Sequence, residues 1–247
     1  LFALLAAGGA ENAGHALAVM RALAEGQSAP DLRPAPLPRF GILEADQSPP
    51  LPRARSDMPL PAEEDGTAVP KAPIPILFYR ALLDGAGTAV VEALAAGLRD
   101  RGLAPLPIFV SSLREPEAVA FVQSIFASTP PAVILNLTGF ALGIDGLSPE
   151  QNPFAGTDAP VIQLIQSGRP EALWATDMQG LSPKDLAMQV VMPELDGRIG
   201  GLIVGHRAES LWHPRTQCPL ATYAPDAEGI GRAADLAANW VRLRKTP

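Results

Sequence analysis

Short apolar runs alternate with helical segments from residue 74 to residue 205, and this alternation constrains the fold more than any other feature. The runs read IPILFYR, LPIFVSS, PAVILNLTGFAL and APVIQLIQS, which is typical of strands buried on both faces. Helical periodicity follows the first two of them, in GTAVVEALAAGLRDRG and EPEAVAFVQSIFAST. Crossovers of this length join parallel strands, so we expect strands at about 75–79, 106–110, 132–137 and 160–165 to form one parallel sheet. The predicted fold is α/β, with helices on both faces of a mostly parallel sheet, Rossmann-like or periplasmic-binding-like.

Capping residues mark the ends of the predicted helices. Thr88 is suited to begin the first helix and Gly102 to end it, and Pro116 lies in the first turn of the second. RPEALWATD and SPKDLAMQVV indicate two further short helices, the latter with Ser182 as its cap. The apolar residues that precede Pro193, in VVMPELDGRIGG, are interpreted as the end of a strand, and two carboxylates, Glu194 and Asp196, follow it.

Composition divides the rest of the chain. Residues 1–27 are rich in Ala and Leu and predict a helical segment, with Asn12 as the cap of its second helix. Proline dominates residues 28–73, which predicts a linker or surface loop, and we expect almost no helix or strand in residues 44–72. Part of this linker, RFGILEAD, is apolar enough for a short strand. Residues 74–205 form the α/β domain, and residues 206–247 are a connection and a helix leading into a next domain.

Charge and composition exclude several classes of function. The net charge of −7 argues against a surface for nucleic acid or anionic membranes. The hydrophobic content of 47% fits a globular protein, and no apolar run has the roughly 18 residues of a membrane span. The single cysteine, Cys218, fits a reducing compartment, so we expect a cytoplasmic protein. The chain begins without Met and with no basic leader, and we interpret it as a piece of a longer protein.

Ligands of parallel sheets meet the carboxyl ends of the strands, so polar residues there are the candidate site residues. They are Tyr79, Arg80, Ser111, Ser112, Asn136, Thr138, Gln163, Gln166, Ser167, Glu194 and Asp196. For each of them, an ordinary cap or loop hydrogen bond is the competing interpretation. The residues alone predict an α/β domain with a polar cleft and name no reaction.

Familiar short motifs add little. No Gly-x-x-x-x-Gly-Lys phosphate loop is present in the sequence, so we do not expect ATP to bind by that route. GIGRAA, at residues 229–234, matches a degenerate dinucleotide fingerprint, but it follows YAPDAE rather than an apolar strand. We therefore interpret it as the start of a helix.

Three separated blocks resemble the large subunit of aerobic cobaltochelatase, within the cobaltochelatase and magnesium chelatase large-subunit family. They are ILFYRALLDGAGTAVVEALAAGLRDRGLAPLPIFVSSLREPEAVAFV, GLSPKDLAMQVVMPELDGRI and YAPDAEGIGRAADLAANWVRLRKTP. The opening LFALLAAGGAENAGHAL is similar to the helix that precedes this region in the family. LTGFAL and PELDG are shared with the magnesium branch, whereas PLPIFVSSL favours the cobalt branch.

The resemblance implies a metal-inserting ligase of cobalamin biosynthesis. A large subunit would bind the corrin tetrapyrrole hydrogenobyrinic acid a,c-diamide together with Co²⁺ as the substrate ion, and partner subunits of the ATPase-ring type would hydrolyse ATP. Insertion needs a base for the ring N–H protons and ligands that replace the water of the ion. On this basis Glu194 is the first candidate for the catalytic base or metal relay, Asp196 the second, and His206 a candidate cobalt ligand.

The amide and hydroxyl groups near the strand ends are the candidate substrate contacts, namely Asn136, Thr138, Gln163 and Gln166. We expect the piece alone to be inactive, with neither ATP hydrolysis nor cobalt insertion. Two alternatives stay open. One is a magnesium chelatase large subunit, which inserts magnesium into protoporphyrin IX. The other, of a different class, is an α/β module that binds a small solute without catalysis, since fold does not fix function.

Overall fold

The computed structural model describes residues 1–35, 38–43, 72–83, 87–142, 148–208, 212–213, 217–219 and 222–245. Its strands are β1 (Phe40–Ile42), β2 (Pro73–Tyr79), β3 (Ala104–Val110), β4 (Ile134–Asn136), β5 (Val161–Ser167), β6 (Ile199–Arg207), β7 (Trp212–His213), β8 (Cys218–Pro219) and β9 (Tyr223–Pro225). Its α-helices are α1 (Phe2–Ala7), α2 (Gly9–Ala24), α3 (Ala89–Asp100), α4 (Pro116–Ser128), α5 (Glu171–Thr176), α6 (Pro183–Leu186), α7 (Met192–Leu195) and α8 (Ala227–Lys245). Within these ranges, no helix is long and apolar enough to cross a membrane.

Seven strands form the main sheet, in the order β1-β3-β2-β4-β5-β6-β9. The five central strands β3, β2, β4, β5 and β6 are parallel to one another, which confirms the predicted parallel sheet. Strand β1 pairs antiparallel with β3 at one edge, and β9 pairs antiparallel with β6 at the other. The sheet is therefore mixed only at its two edges.

Helices cover both faces of the sheet, as predicted. Alternation along β2 sends Ile76 and Phe78 into a core with α3 and α8, and Leu77 into a second core with α4. These three side chains are fully buried, which explains why the strand is a continuous apolar run. The helical partners in the first core include Val91, Leu94, Ala234 and Ala237.

Helix α8 shares the first core, since Ile230, Ala233 and Val241 are buried in it. The predicted boundary at residue 205 thus lies before a helix that packs on the sheet, and the domain division of the chain stays a prediction. The side chain of Asp226 accepts a hydrogen bond from the Gly229 amide at 2.7 Å. GIGRAA is therefore the beginning of a capped helix, as the sequence indicated.

Gly229 allows α8 to approach β6 closely. A Cβ atom at this position would lie 1.7 Å from the Ile203 carbonyl oxygen, and backbone would have to move. We expect Gly229→Ala to lower the free energy of unfolding by about 1–3 kcal/mol or more, measured by urea denaturation. Gly231→Ala is the matched control in the same helix, because its added Cβ would meet only the Arg101 guanidinium at 3.9 Å. The control should be neutral or stabilising by up to about 1 kcal/mol, and equal losses in both variants would contradict the close approach.

The apolar run before Pro193 is helical, so the helix predicted for SPKDLAMQVV is confirmed, whereas the strand end assigned to residues 190–192 was wrong. A π-helical stretch, Ala187–Val191, continues α6 directly into α7. Ser182 caps α6 by accepting a hydrogen bond from the Asp185 amide at 3.1 Å, as predicted. Pro193 has no N–H to donate, and the wider π turn ahead of it accommodates this loss. The next strand, β6, begins only after the carboxylates, at Ile199.

The N-terminal helices differ from the prediction in one detail. Helix α2 begins at Gly9, so Asn12 lies inside it rather than at its cap. The buried Asn12 amide bonds the backbone of Ala35 in both directions, donating to its carbonyl at 2.6 Å and accepting from its N–H at 2.8 Å. The Asn12 side chain thus holds the backbone of Ala35, in the segment that follows α2, against the helix.

The proline-rich segment is described only in part. RFGILEAD contains strand β1, which confirms that this stretch is apolar enough to pair with the sheet. Residues 44–71 lie outside the described residues, so their expected lack of helix and strand stays a prediction.

Candidate functional site

A cavity of about 280 Å³ opens at the carboxyl ends of β2, β3 and β4. This is where the fold class places ligands. Its lining residues come from the end of β2, the turn before α4 and the loop after β4: Tyr79, Ser112, Leu113, Arg114, Gly139, Phe140, Ala141 and Leu142. Two of the predicted strand-end residues, Tyr79 and Ser112, are therefore at this cavity.

The loop Gly139–Leu142 forms one wall of the cavity and is held at every residue. The Tyr79 hydroxyl donates to the Gly139 carbonyl at 2.9 Å, and the Phe140 amide donates to the Met188 carbonyl at 2.8 Å. The two remaining anchors are the Arg114 guanidinium, which donates to the Ala141 carbonyl at 2.8 Å, and the Asp196 carboxylate, which accepts from the Leu142 amide at 2.8 Å. These four bonds come from four different elements and hold the Gly139–Phe140 and Ala141–Leu142 peptide groups on both sides.

Phe140 has a strained backbone. Its φ angle is 65°, in the left-handed region that bulky side chains rarely adopt. Such a conformation costs about 1–3 kcal/mol and persists only where neighbouring bonds enforce it. The ring is 45% exposed at the cavity, so burial of the side chain offsets this cost only in part.

The predicted substrate contacts Asn136, Thr138 and Gln163 lie beneath this loop, within the protein. Their exposed fractions are 0%, 0% and 1%. The Asn136 amide donates to the Gln163 side-chain oxygen at 2.7 Å and to the Thr138 carbonyl at 2.9 Å, and the Thr138 hydroxyl donates to Asn136 at 2.8 Å. Because these side chains are enclosed and bond one another, the geometry favours support of the loop over direct contact with a ligand.

Arg198 is the residue that the sequence reasoning missed. Its guanidinium is almost wholly buried and pairs with Asp196 at 3.0 Å. It also donates to the Thr138 carbonyl and to the Gln163 side-chain oxygen, both at 3.2 Å. Burial lowers the pKa of Arg198 from its ordinary value, against the opposing effect of Asp196. The spacing Asp-Gly-Arg immediately before an apolar strand was the available signal.

The two carboxylates of PELDG are in different environments. The Asp196 side chain is only 8% exposed, and its Oδ2 atom accepts hydrogen bonds from both Arg198 and the Leu142 amide. Glu194 is exposed on α7, and it has no side-chain hydrogen bond or ion pair with another described residue. Neither lines the cavity. Asp196, ranked second from the sequence, is thus the one built into the network, whereas Glu194 is the one with a free carboxylate.

Gln166 links β5 to the helical segment that carries these acids. Its backbone N–H donates to the Gln189 side-chain oxygen at 3.0 Å, and its backbone carbonyl accepts from the Gln189 side-chain nitrogen at 2.9 Å. Gln189 also donates to Asp185 at 3.2 Å. The buried Nε2 atom of Gln166 has no described partner. Gln166 thus joins β5 to the helical segment through its backbone, and contact of its side chain with a substrate stays a prediction.

His206 is buried in β6 and lies apart from the cavity lining. Its Nε2 atom is 3.0 Å from Asp226, the residue that caps α8, and its ring packs 5.7 Å from the Trp174 ring. Among the described residues, no three His, Cys, Asp or Glu side chains gather into a possible metal site. In these surroundings His206 joins β6 to α8, and nothing described supplies it with fellow metal ligands.

Positive charge predominates at the cavity. Arg114 lines it, and Arg198 lies behind it, paired with the Asp196 carboxylate. Burial raises the pKa of Tyr79, although both of these guanidinium groups act to lower it. The cavity is therefore suited to a ligand with an apolar surface and a negatively charged substituent.

Comparisons with known proteins agree with one another. The family model described as CobN/Magnesium Chelatase matches residues 2–247. The aerobic cobaltochelatase subunit CobN of a Sinorhizobium species is 36% identical over 253 residues, covering 99% of this chain and 19% of that protein. The subunit of the same name from Pseudomonas aeruginosa is 37% identical over 174 residues, covering 70% of this chain and 14% of that protein.

A solved structure extends the likeness to three dimensions. The catalytic subunit of cobaltochelatase from Mycobacterium tuberculosis superposes with a TM-score of 0.70 at 26% identity, covering 98% of this chain and 19% of that one. The chain thus spans less than a fifth of the length of these relatives. Because the family model matches nearly every residue, the chain belongs to the CobN/magnesium chelatase family.

Proposed function

We propose that this chain is part of the tetrapyrrole-binding large subunit of an ATP-dependent cobaltochelatase. The complete subunit would insert Co²⁺ into hydrogenobyrinic acid a,c-diamide in the cytoplasm, during cobalamin biosynthesis. The observation that carries the proposal is the match over 98% of this chain to a cobaltochelatase catalytic subunit, since the likeness includes both sequence and fold. The strand-end cavity supports it, because its apolar lining and its arginine suit a flat ligand with acidic substituents.

Partner subunits of the ATPase-ring type would supply the energy for insertion. The sequence contains no phosphate loop, so ATP hydrolysis is assigned to those partners. Cobalt enters as a substrate ion rather than as a resident cofactor. This chain alone is expected to be inactive because it spans less than a fifth of its cobaltochelatase relatives.

Glu194 is the group in this chain that we propose as base or metal relay. A base must be accessible to the ring N–H and free of other partners, and the Glu194 carboxylate meets both conditions among the described residues. Asp196 is already occupied by Arg198 and Leu142, and we assign it to positioning. His206 remains a weaker candidate for cobalt, because its described partner is the helix-capping Asp226.

The alternative within the family is a magnesium chelatase large subunit, since the same family model covers both enzymes. Absorbance titration of the complete subunit with each tetrapyrrole separates the two. We expect saturable binding of hydrogenobyrinic acid a,c-diamide and weaker binding of protoporphyrin IX. Tighter binding of protoporphyrin IX would favour the magnesium branch, and binding of neither would contradict the proposal.

A further inference from the structure

We propose that the strand-end cavity holds one carboxylate-bearing edge of the macrocycle, with the Phe140 ring against the macrocycle and the Arg114 guanidinium on its carboxylate. This inference rests on the proposed function and adds to it a subsite and two contact residues. Neither residue was among the candidates that the sequence suggested.

The size of the cavity limits what it admits. Its volume of about 280 Å³ is slightly below the roughly 300–1,000 Å³ of pockets that enclose a small ligand. A whole tetrapyrrole does not fit, whereas one ring edge with its acidic side chain does. The rest of the macrocycle would therefore extend beyond the cavity mouth.

Phe140 supplies the apolar contact. A glycine would adopt its φ of 65° without strain, yet the chain places a large and half-exposed aromatic ring there. Anchors on both sides, at Gly139 and Ala141, keep the ring at the cavity. Strain that a protein maintains at an exposed aromatic residue points to a role in binding.

Arg114 supplies the charge. One Nη2 bond holds it to the Ala141 carbonyl, and no described carboxylate is within ion-pairing distance of it. The neighbouring acid, Glu115, is already paired with Arg39 at 2.8 Å. The Ser112 oxygen accepts from the Arg114 amide at 3.1 Å, which leaves the Ser112 hydroxyl proton available to a ligand. The other N–H groups of the Arg114 guanidinium have no described partner, and their planar arrangement fits the two oxygens of a carboxylate.

The test compares the corrin with a derivative whose carboxylates are converted to methyl amides, titrated against the complete subunit and its Arg114→Gln variant. Wild-type subunit should bind the acid about 10–100-fold more tightly than the amide, as expected for a charge-assisted hydrogen bond. The Arg114→Gln variant should lose most of this preference. Arg99→Gln, which removes an exposed arginine on α3, should keep it.

Phe140→Gly tests the second contact without endangering the fold, because glycine relieves the strained φ. We expect affinity for both acid and amide to fall about tenfold, since the ring contributes apolar area rather than charge. An unchanged acid preference in Arg114→Gln, together with unchanged affinity in Phe140→Gly, would overturn this inference alone. Failure of the wild-type subunit to bind any corrin would overturn the proposed function and this inference together.

Discussion

Replacing Glu194 with glutamine is expected to slow cobalt insertion by the complete subunit about 10²–10⁴-fold, the usual effect of losing a positioned base. Glutamine keeps the size of the side chain and removes its charge and basicity, so corrin binding should stay nearly unchanged. Because Glu194 is exposed and has no described partner, the substitution should leave the fold unchanged. The measurement is the insertion rate of the reconstituted complex at saturating ATP and cobalt.

Glu117→Gln is the matched control for this prediction. Glu117 is also an exposed glutamate on a helix, in the first turn of α4. Its replacement should leave the insertion rate unchanged and change stability by no more than about 0.5 kcal/mol. Near-wild-type insertion by Glu194→Gln would make Glu194 an ordinary solvated residue and would contradict its assignment as the base.

Replacing Asp196 with asparagine is expected to lower the free energy of unfolding by about 3–5 kcal/mol, the usual cost of leaving a buried charge without its partner. The Arg198 guanidinium would remain enclosed beneath the cavity wall, and no other described carboxylate pairs with it. Asparagine still offers an oxygen to the Leu142 amide, so the loss isolates the charge rather than the hydrogen bond. Urea denaturation of the chain measures it.

The control for this second prediction is Asp235→Asn, which breaks the pair between Asp235 and Arg101 on the surface. The Asp235 side chain is 65% exposed, so solvent screens the pair, and its loss should lower the free energy of unfolding far less than Asp196→Asn does. Equal and small losses in both variants would mean that Asp196 and Arg198 are not a buried pair.

The parallel sheet was predictable because its strands are buried on both faces. IPILFYR has no alternation of apolar and polar residues, since neighbouring side chains enter the two opposite cores. The predicted cap Ser182, which makes a definite hydrogen bond, also placed a helix start correctly. These signals are local in the sequence.

The errors arose where tertiary contacts decide the structure. Val190 and Val191 favour strands by residue type, yet the helix begun at Ser182 continues through them by a π-helical stretch. Asn12 is a residue type that often caps helices, but here its side chain bonds the backbone of Ala35 from inside α2. The Ala35 contact cannot be inferred from the residues next to Asn12, whereas the helix through Val190 and Val191 had its signal in the Ser182 cap.

The sequence placed some, but not all, of its candidate residues near the cavity, and their roles stay predictions. Of the polar residues predicted at the strand ends, Tyr79 and Ser112 line the cavity, whereas Asn136 and Gln163 lie beneath it and support its wall. Arg198 was missed because a charged residue before a strand ordinarily faces solvent. Its burial depends on acceptors from β5 and the segment after β4, which no spacing rule brings together.

The most direct test of the proposed function is metal insertion by the complete subunit that carries this sequence, reconstituted with ATPase-type partner subunits. The assay follows absorbance with each metal, Co²⁺ or Mg²⁺, and each tetrapyrrole, the corrin or protoporphyrin IX. We expect ATP-dependent product only from Co²⁺ and hydrogenobyrinic acid a,c-diamide, and no insertion by this chain alone. ATP-dependent insertion of Mg²⁺ into protoporphyrin IX, with none of cobalt into the corrin, would contradict the account.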